Sequence, residues 1–147
     1  MYYRNKLIPH LVDYDRMSLS VLPILTFFNQ PNFRSKSVNT DSYGIRFNNE
    51  KELEEKKNVI ELKSNNKKDT ILAIGGSTLF GVGASSDKET IISILEREKD
   101  VNIINMSGRA LNGFQEIVLL LSHLSKIKNL SKIIIFSGLN DFYLNKN

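Results

Sequence analysis

Hydrophobic positions change their pattern near residue 70 of this chain. Beyond that point, short continuous apolar runs alternate with segments of helical period. Residues 70–74, 101–104 and 132–136 read as strands. A helix is expected to begin near Ser86 or Asp87, either of which can cap it, with its apolar face carried by residues 88–95. A second helix is expected from Gly113 to about Lys126, where Phe114, Ile117, Val118, Leu121 and Leu124 recur at spacings of three and four. Strands alternating with helices of this length imply a parallel sheet with right-handed crossovers. The strands are continuous rather than alternating in apolarity, which suits a sheet covered on both faces.

The first fifty residues lack this order. Residues 21–28 are apolar but broken by Pro23, too short for a membrane span of ~20 residues, and expected to pack on the domain. Residues 29–33 read as a turn and 42–47 as a short strand. Residues 50–69 carry dense mixed charge and read as a solvated helix or hairpin leading to a loop, nothing more than charged surface. The expected division is an N-terminal extension over 1–69, with short strands and a charged linker, and an α/β domain over 70–147.

Composition narrows the chemistry. A chain of 147 residues is one domain by size, with room for a core. Its net charge of +4 is scattered among acidic residues, which argues against nucleic acid as a partner. There is no cysteine, so disulfides and thiolate metal sites are excluded, and two histidines make a poor metal set. No cofactor or metal is expected. Without a clear signal peptide, the expected location is cytoplasmic.

Two strand ends carry the candidate chemistry. The run from Ile71 to Ile74 passes directly into Gly75, Gly76 and Ser77, and the run from Ile133 to Phe136 into Ser137, Gly138, Leu139 and Asn140. In open α/β sheets the carboxyl ends of strands are where ligands bind. Gly75 and Gly76 allow a sharp turn ahead of an irregular segment. A serine there can act as nucleophile if a base takes its proton and donors receive the developing charge. Asn140 can supply one donor from the neighbouring strand end. Phosphate binding is the competing account, because Gly76 and Gly81 have P-loop spacing. Val82 and Gly83 stand where lysine and a hydroxyl residue are needed, however, and the partial dinucleotide fingerprint over 81–86 falls late after the strand. A purely structural turn is the third account.

Gly75-Gly76-Ser77-Thr78 after an apolar strand resembles the first block of the SGNH (GDSL-like) hydrolases, in its Gly-Gly-Ser-Thr variant. Gly138-Leu139-Asn140-Asp141 resembles the third block. The stretch from Asn105 to Gln115 resembles the second, with Ala110 in place of a glycine, Ser107 in place of another, and Gly108 offset by two. Tyr43-Gly44-Ile45-Arg46-Phe47 is similar to a short element that precedes the domain in such relatives. The resemblance spans residues 70–143 and implies a three-layer, flavodoxin-like parallel sheet. It makes Ser77 the acyl-accepting nucleophile and its N–H part of an oxyanion hole. Asn140 becomes a side-chain donor, and Ala110 or, in a shifted register, Gly108 a backbone donor. Alanine serves at such a position where the local φ is negative. Asp141 would bond the loop.

The implied reaction is hydrolysis or transfer of an ester-linked acyl group, on a small-molecule or carbohydrate ester. The family's Asp-x-x-His block is missing, and neither His10 nor His123 is placed to replace it. The expectation is therefore a C-terminally truncated SGNH-like domain. The 132–136 strand, central in the complete order, would then be left as an edge open to a protein partner or to self-association. A base-less binding or assembly module and a nucleotide-binding βαβ protein are the alternatives.

Overall fold

The computed structural model describes residues 2–64 and 67–144. Two short helices, α1 (Tyr2–Leu7) and α2 (Leu11–Arg16), lead into an antiparallel hairpin of β1 (Leu19–Leu22) and β2 (Thr26–Asn29). Two more follow, α3 (Glu50–Glu54) and α4 (Val59–Ser64). The remaining elements are β3 (Thr70–Gly75), α5 (Ser77–Phe80), α6 (Ile91–Lys99), β4 (Asn102–Asn105), α7 (Gly113–His123), β5 (Leu130–Phe136) and α8 (Leu139–Leu144).

The protein is mixed α/β, with β3, β4 and β5 in one parallel sheet ordered β4-β3-β5. That order is consistent with a flavodoxin-like layout, in which the first strand is central and the chain then crosses to its other side. Both faces of β3 are covered. Leu72 and Ile74 join Ile104, Leu119 and Ile60 in one apolar cluster, while Ala73 joins Leu79, Ile92 and Ile103 in another. Leu25, Phe28, Ile45 and Phe47 belong to the first of these clusters, so residues before 70 share the core of the sheet.

Several expectations are corrected. Residues 42–47 form no strand: Arg46 makes isolated bridges to Thr40 and Asn105, and Asp41 holds the turn by accepting from the N–H groups of Tyr43 and Ile45. The charged segment is more than surface. Lys63 is buried between Glu52 and Glu96, each charge compensating the next. Asn65 and Asn66 lie outside the described residues. Ser86 and Asp87 do not cap the helix. Asp87 is drawn inward to Arg46, its neighbourhood forms one 3₁₀ turn, and Thr90 caps α6 by accepting from the Ser93 N–H.

The largest correction concerns α7. Most of its apolar stripe faces outward: Phe114 is 66% exposed, and Ile117 and Leu121 are also exposed, while Val118 packs against the core. The inward side carries Gln115, Glu116 and Leu119. Gln115 is drawn inward because it completes a capping box with Asn112 and donates to the Leu25 carbonyl at 2.9 Å. Among the described residues β5 is a sheet edge, and its isoleucines are exposed.

Candidate active site

The tips of β3 and β5 abut closely. A β-carbon on Gly75 would lie 2.2 Å from the Phe136 carbonyl oxygen, so no other residue fits there without moving the strand. Gly76 is extended and precedes α5, which begins at Ser77. The segment after the glycines is thus a short helix rather than irregular chain. A β-carbon on Gly76 would lie 3.1 Å from Asn140 Nδ2, which places the carboxamide across the backbone beside the serine. Asn140 Nδ2 donates to the Leu111 carbonyl at 2.6 Å, and the amide has a second N–H to give. Asp141 accepts from the Gly113 N–H through both carboxylate oxygens, at 2.9 and 3.0 Å, and so ties α8 to the start of α7.

Ser77, Thr78, Leu111, Glu116, Ser137 and Asn140 line one cavity of about 170 Å³. It sits at the carboxyl ends of β3 and β5, the point where the strand order reverses and ligands collect in open sheets. The volume is below the ~300–1,000 Å³ of sites for drug-sized molecules, so it suits a small group. Ser77 also lines a second recess of about 430 Å³ with Val82, Glu89 and Thr90. Among the described residues, the Ser77 hydroxyl makes no hydrogen bond.

The two backbone donors differ. The Gly108 N–H is committed to the Gly75 carbonyl at 3.1 Å, and Gly108 is packed against Leu111 and Phe28, so it has no N–H left for a ligand. The Ala110 N–H has no acceptor among the described residues. Its φ is +59°, however, so alanine occupies a left-handed position that favours glycine, not the negative φ expected.

Residues before 70 hold the loop that follows Ser77. Arg46 Nη1 donates to the carbonyls of Phe80 and Gly81, and Nε pairs with Asp87 at 2.8 Å. Tyr14 Oη lies 2.9 and 2.7 Å from the carbonyl oxygens of Gly81 and Ala84 and shares its one proton between them. Inside the loop, the amides of Gly81 and Val82 bond the Ser77 carbonyl and that of Ala84 bonds the Gly81 carbonyl. These are the N–H groups that a phosphate cradle would need free.

Neither histidine lines the small cavity. His123 sits at the opposite end of α7, edge-on to Tyr43, with Nδ1 at 3.1 Å from the Leu119 carbonyl. Burial holds its pKa below the ordinary value, only partly opposed by the bond to Leu119. His10 Nε2 lies 2.7 Å from the Gly83 carbonyl.

Sequence reasoning passed over Glu116. It is 3% exposed, and its Oε1 is buried without a hydrogen-bond partner. Burial raises its pKa; an interaction with the Ser137 side chain opposes this, and the Asp141 carboxylate adds to it. The available signal was an acid in the first turn of a helix starting between two strand tips. Among the described residues, no group of three His, Cys, Asp or Glu could hold a metal, and no helix is long and apolar enough to cross a membrane. Comparison with protein-family models and with curated proteins yields no match to this chain.

Proposed function

We propose that this chain carries the nucleophile site of an SGNH-type serine ester hydrolase, an esterase or a carbohydrate O-acetyl hydrolase or transferase. The observation that carries the reading is the shared cavity: Ser77 and Asn140, supplied by adjacent parallel strand tips, line one small recess. Ser77 Oγ attacks the ester carbonyl. The oxyanion is received by the Ser77 N–H at the start of α5, where helix amides lack intrahelical acceptors, by the second Asn140 N–H, and by the Ala110 N–H. A donor of this kind is worth about 2.7–4 kcal/mol in the transition state. The small recess holds the acyl group, and the larger one on the other side of Ser77 takes the alcohol portion.

The test is turnover of p-nitrophenyl acetate and of an O-acetylated sugar by the full chain. Ser77→Ala abolishes it, and Asn140→Ala lowers kcat by about 10²–10³-fold. Turnover that survives Ser77→Ala unchanged would sink the reading.

A second reading, a binding or assembly module that does no chemistry, draws on a separate observation. The isoleucines of β5, the outer stripe of α7 and Leu139, Phe142 and Tyr143 of α8 are all exposed. Such a surface fits a protein partner or a second copy. The nucleotide reading has less behind it, since the loop amides at 81, 82 and 84 are bonded within the loop.

A further inference from the structure

We infer that the recess between the β1–β2 turn and the C-terminal half of α7 binds a small, uncharged, mostly apolar molecule bearing a hydroxyl group, of the alkylphenol class. This recess is separate from the Ser77 cavity, and its role does not depend on the reading of Ser77. Its volume of about 330 Å³ falls within the ~300–1,000 Å³ of small-molecule sites. Leu22, Phe28, Tyr43, Val118 and Leu119 make its walls apolar, and among the described residues no Lys, Arg, Asp or Glu lines it. An ion entering it would give up water without gaining a counter-charge, so the recess selects neutral molecules.

His123 is the polar handle of this recess. Its Nδ1 lies 3.1 Å from the Leu119 carbonyl, an acceptor, so in the neutral ring Nδ1 carries the proton and Nε2 the lone pair. Nε2 makes no hydrogen bond among the described residues, which leaves it for a ligand O–H. Burial holds the ring below its ordinary pKa and keeps it neutral at pH 7.5. The two charged groups that act on it are engaged elsewhere. Lys126 sits over the Tyr43 ring, 4.8 Å from its centroid, and Asp41 accepts from the N–H groups of Tyr43, Ile45 and Val59.

The facing turn is a second, independent observation. The Leu25 N–H bonds the Pro23 carbonyl at 2.7 Å across Ile24, whose φ is +67°. A three-residue turn of this hand is rare and strained, and a β-branched side chain adds to the strain. Thr26, at φ +72°, is strained in the same way. The turn is nonetheless fixed, because Leu25 is buried in the core and its carbonyl accepts from Gln115. Strain held by its surroundings in this way gathers at ligand clamps. Here it sets Ile24 in the wall of the recess while 79% exposed, where a bound molecule would cover it.

The experiment titrates p-propylphenol into the full chain at pH 7.5 and follows the imidazole C–H resonances by NMR. The chain has two histidines, and His123→Gln assigns their signals. Those of His123 should shift and saturate, while those of His10 stay in place. p-Propylanisole, which lacks the O–H, should bind about 2–10-fold more weakly, the loss of one hydrogen bond, and p-propylbenzoate should not bind. Ser122→Trp, which fills the recess from an exposed helix position, should abolish the shift. Ile24→Gly relieves the turn, so it should raise the melting temperature and weaken binding several-fold; a turn with no part in binding would gain stability at unchanged affinity. No saturable shift at His123, equal movement of the His10 signals, or an unchanged titration in Ser122→Trp overturns the site. Equal affinity for the anisole overturns the hydroxyl selection by His123. If Ser122→Trp does not fold, Ile24→Gly and the three ligands decide.

Discussion

Two isoleucine-rich strands flank β3, and they meet different surroundings. On one side all four residues of β4 are buried. Ile103 packs toward α6 with Ile92, and Ile104 packs into the cluster that includes Phe28, Phe47 and Leu119. On the other side β5 follows β3 in register from Ile71–Lys132 to Gly75–Phe136, yet six of its seven residues are exposed and Ile135 is 68% exposed. The sequences are alike because both strands are built for a sheet covered on both faces. The difference lies in the cover: residues before 70 and α6 close the β4 side, whereas nothing among the described residues closes the β5 side. The candidate site stands at the boundary, with Ser77 on the covered centre and Asn140 on the bare flank.

The strongest way to break the contrast is to remove the cover's polar anchor. Arg46 is fully buried, bridges to Asn105 of β4, pairs with Asp87 and lies over the rings of Tyr14 and Phe80. Truncation leaves the Asp87 carboxylate buried without its cation, a loss of about 3–5 kcal/mol. Urea denaturation of Arg46→Ala should show a destabilisation of that order. A change within about 0.5 kcal/mol would mean that the N-terminal residues do not close the β4 side.

The strands themselves give the next effect. Ile104→Ala removes packing from a fully buried site and should cost about 2–5 kcal/mol. Ile135→Ser on the bare flank should change stability by no more than about 0.5 kcal/mol. Where two copies meet through this flank, it should instead weaken their association, read as a shift toward monomer in sedimentation velocity at micromolar concentrations. Equal destabilisation by both substitutions would show that β5 is covered in solution by something bound to the folded chain.

These contrasts mark what the chain's own letters reveal. The three parallel strands and the start of the helix after Asn112 are legible because continuous apolar runs and a capping residue are local signals, and they recur within about two residues of where they were expected, though the helix ends at His123 rather than near Lys126. The facing of α7 was not legible. Periodicity identifies an apolar stripe but says only that the stripe wants cover, and here the cap geometry of Gln115 turns it outward. Glu116 was hidden for the same reason, since a polar residue's burial is decided by partners distant in sequence. Arg46 and Asp87, 41 residues apart, show this again: neither looks buried in isolation. At the site, the glycines and Ser77 stood out because tight strand ends have few solutions, while the occupancy of the Gly108 N–H depends on the register of two strands and was invisible.

The smallest effect probes the turn that joins the covered flank to the bare one. Ala110 sits at φ +59° between β4 and α7, exposed to solvent. An alanine in this left-handed region costs roughly 1–2 kcal/mol relative to its relaxed backbone, and glycine avoids that strain while losing more freedom on folding, about 0.5–1 kcal/mol. Ala110→Gly should therefore stabilise by about 0.5–1 kcal/mol, measured by urea denaturation, where the same change at a negative φ would destabilise. It also keeps the backbone N–H in place, so esterase turnover, if Ser77-dependent in the parent, should persist. A destabilisation of about 1 kcal/mol would mean that residue 110 has relaxed to negative φ in solution, and the donor assigned to it would then point elsewhere.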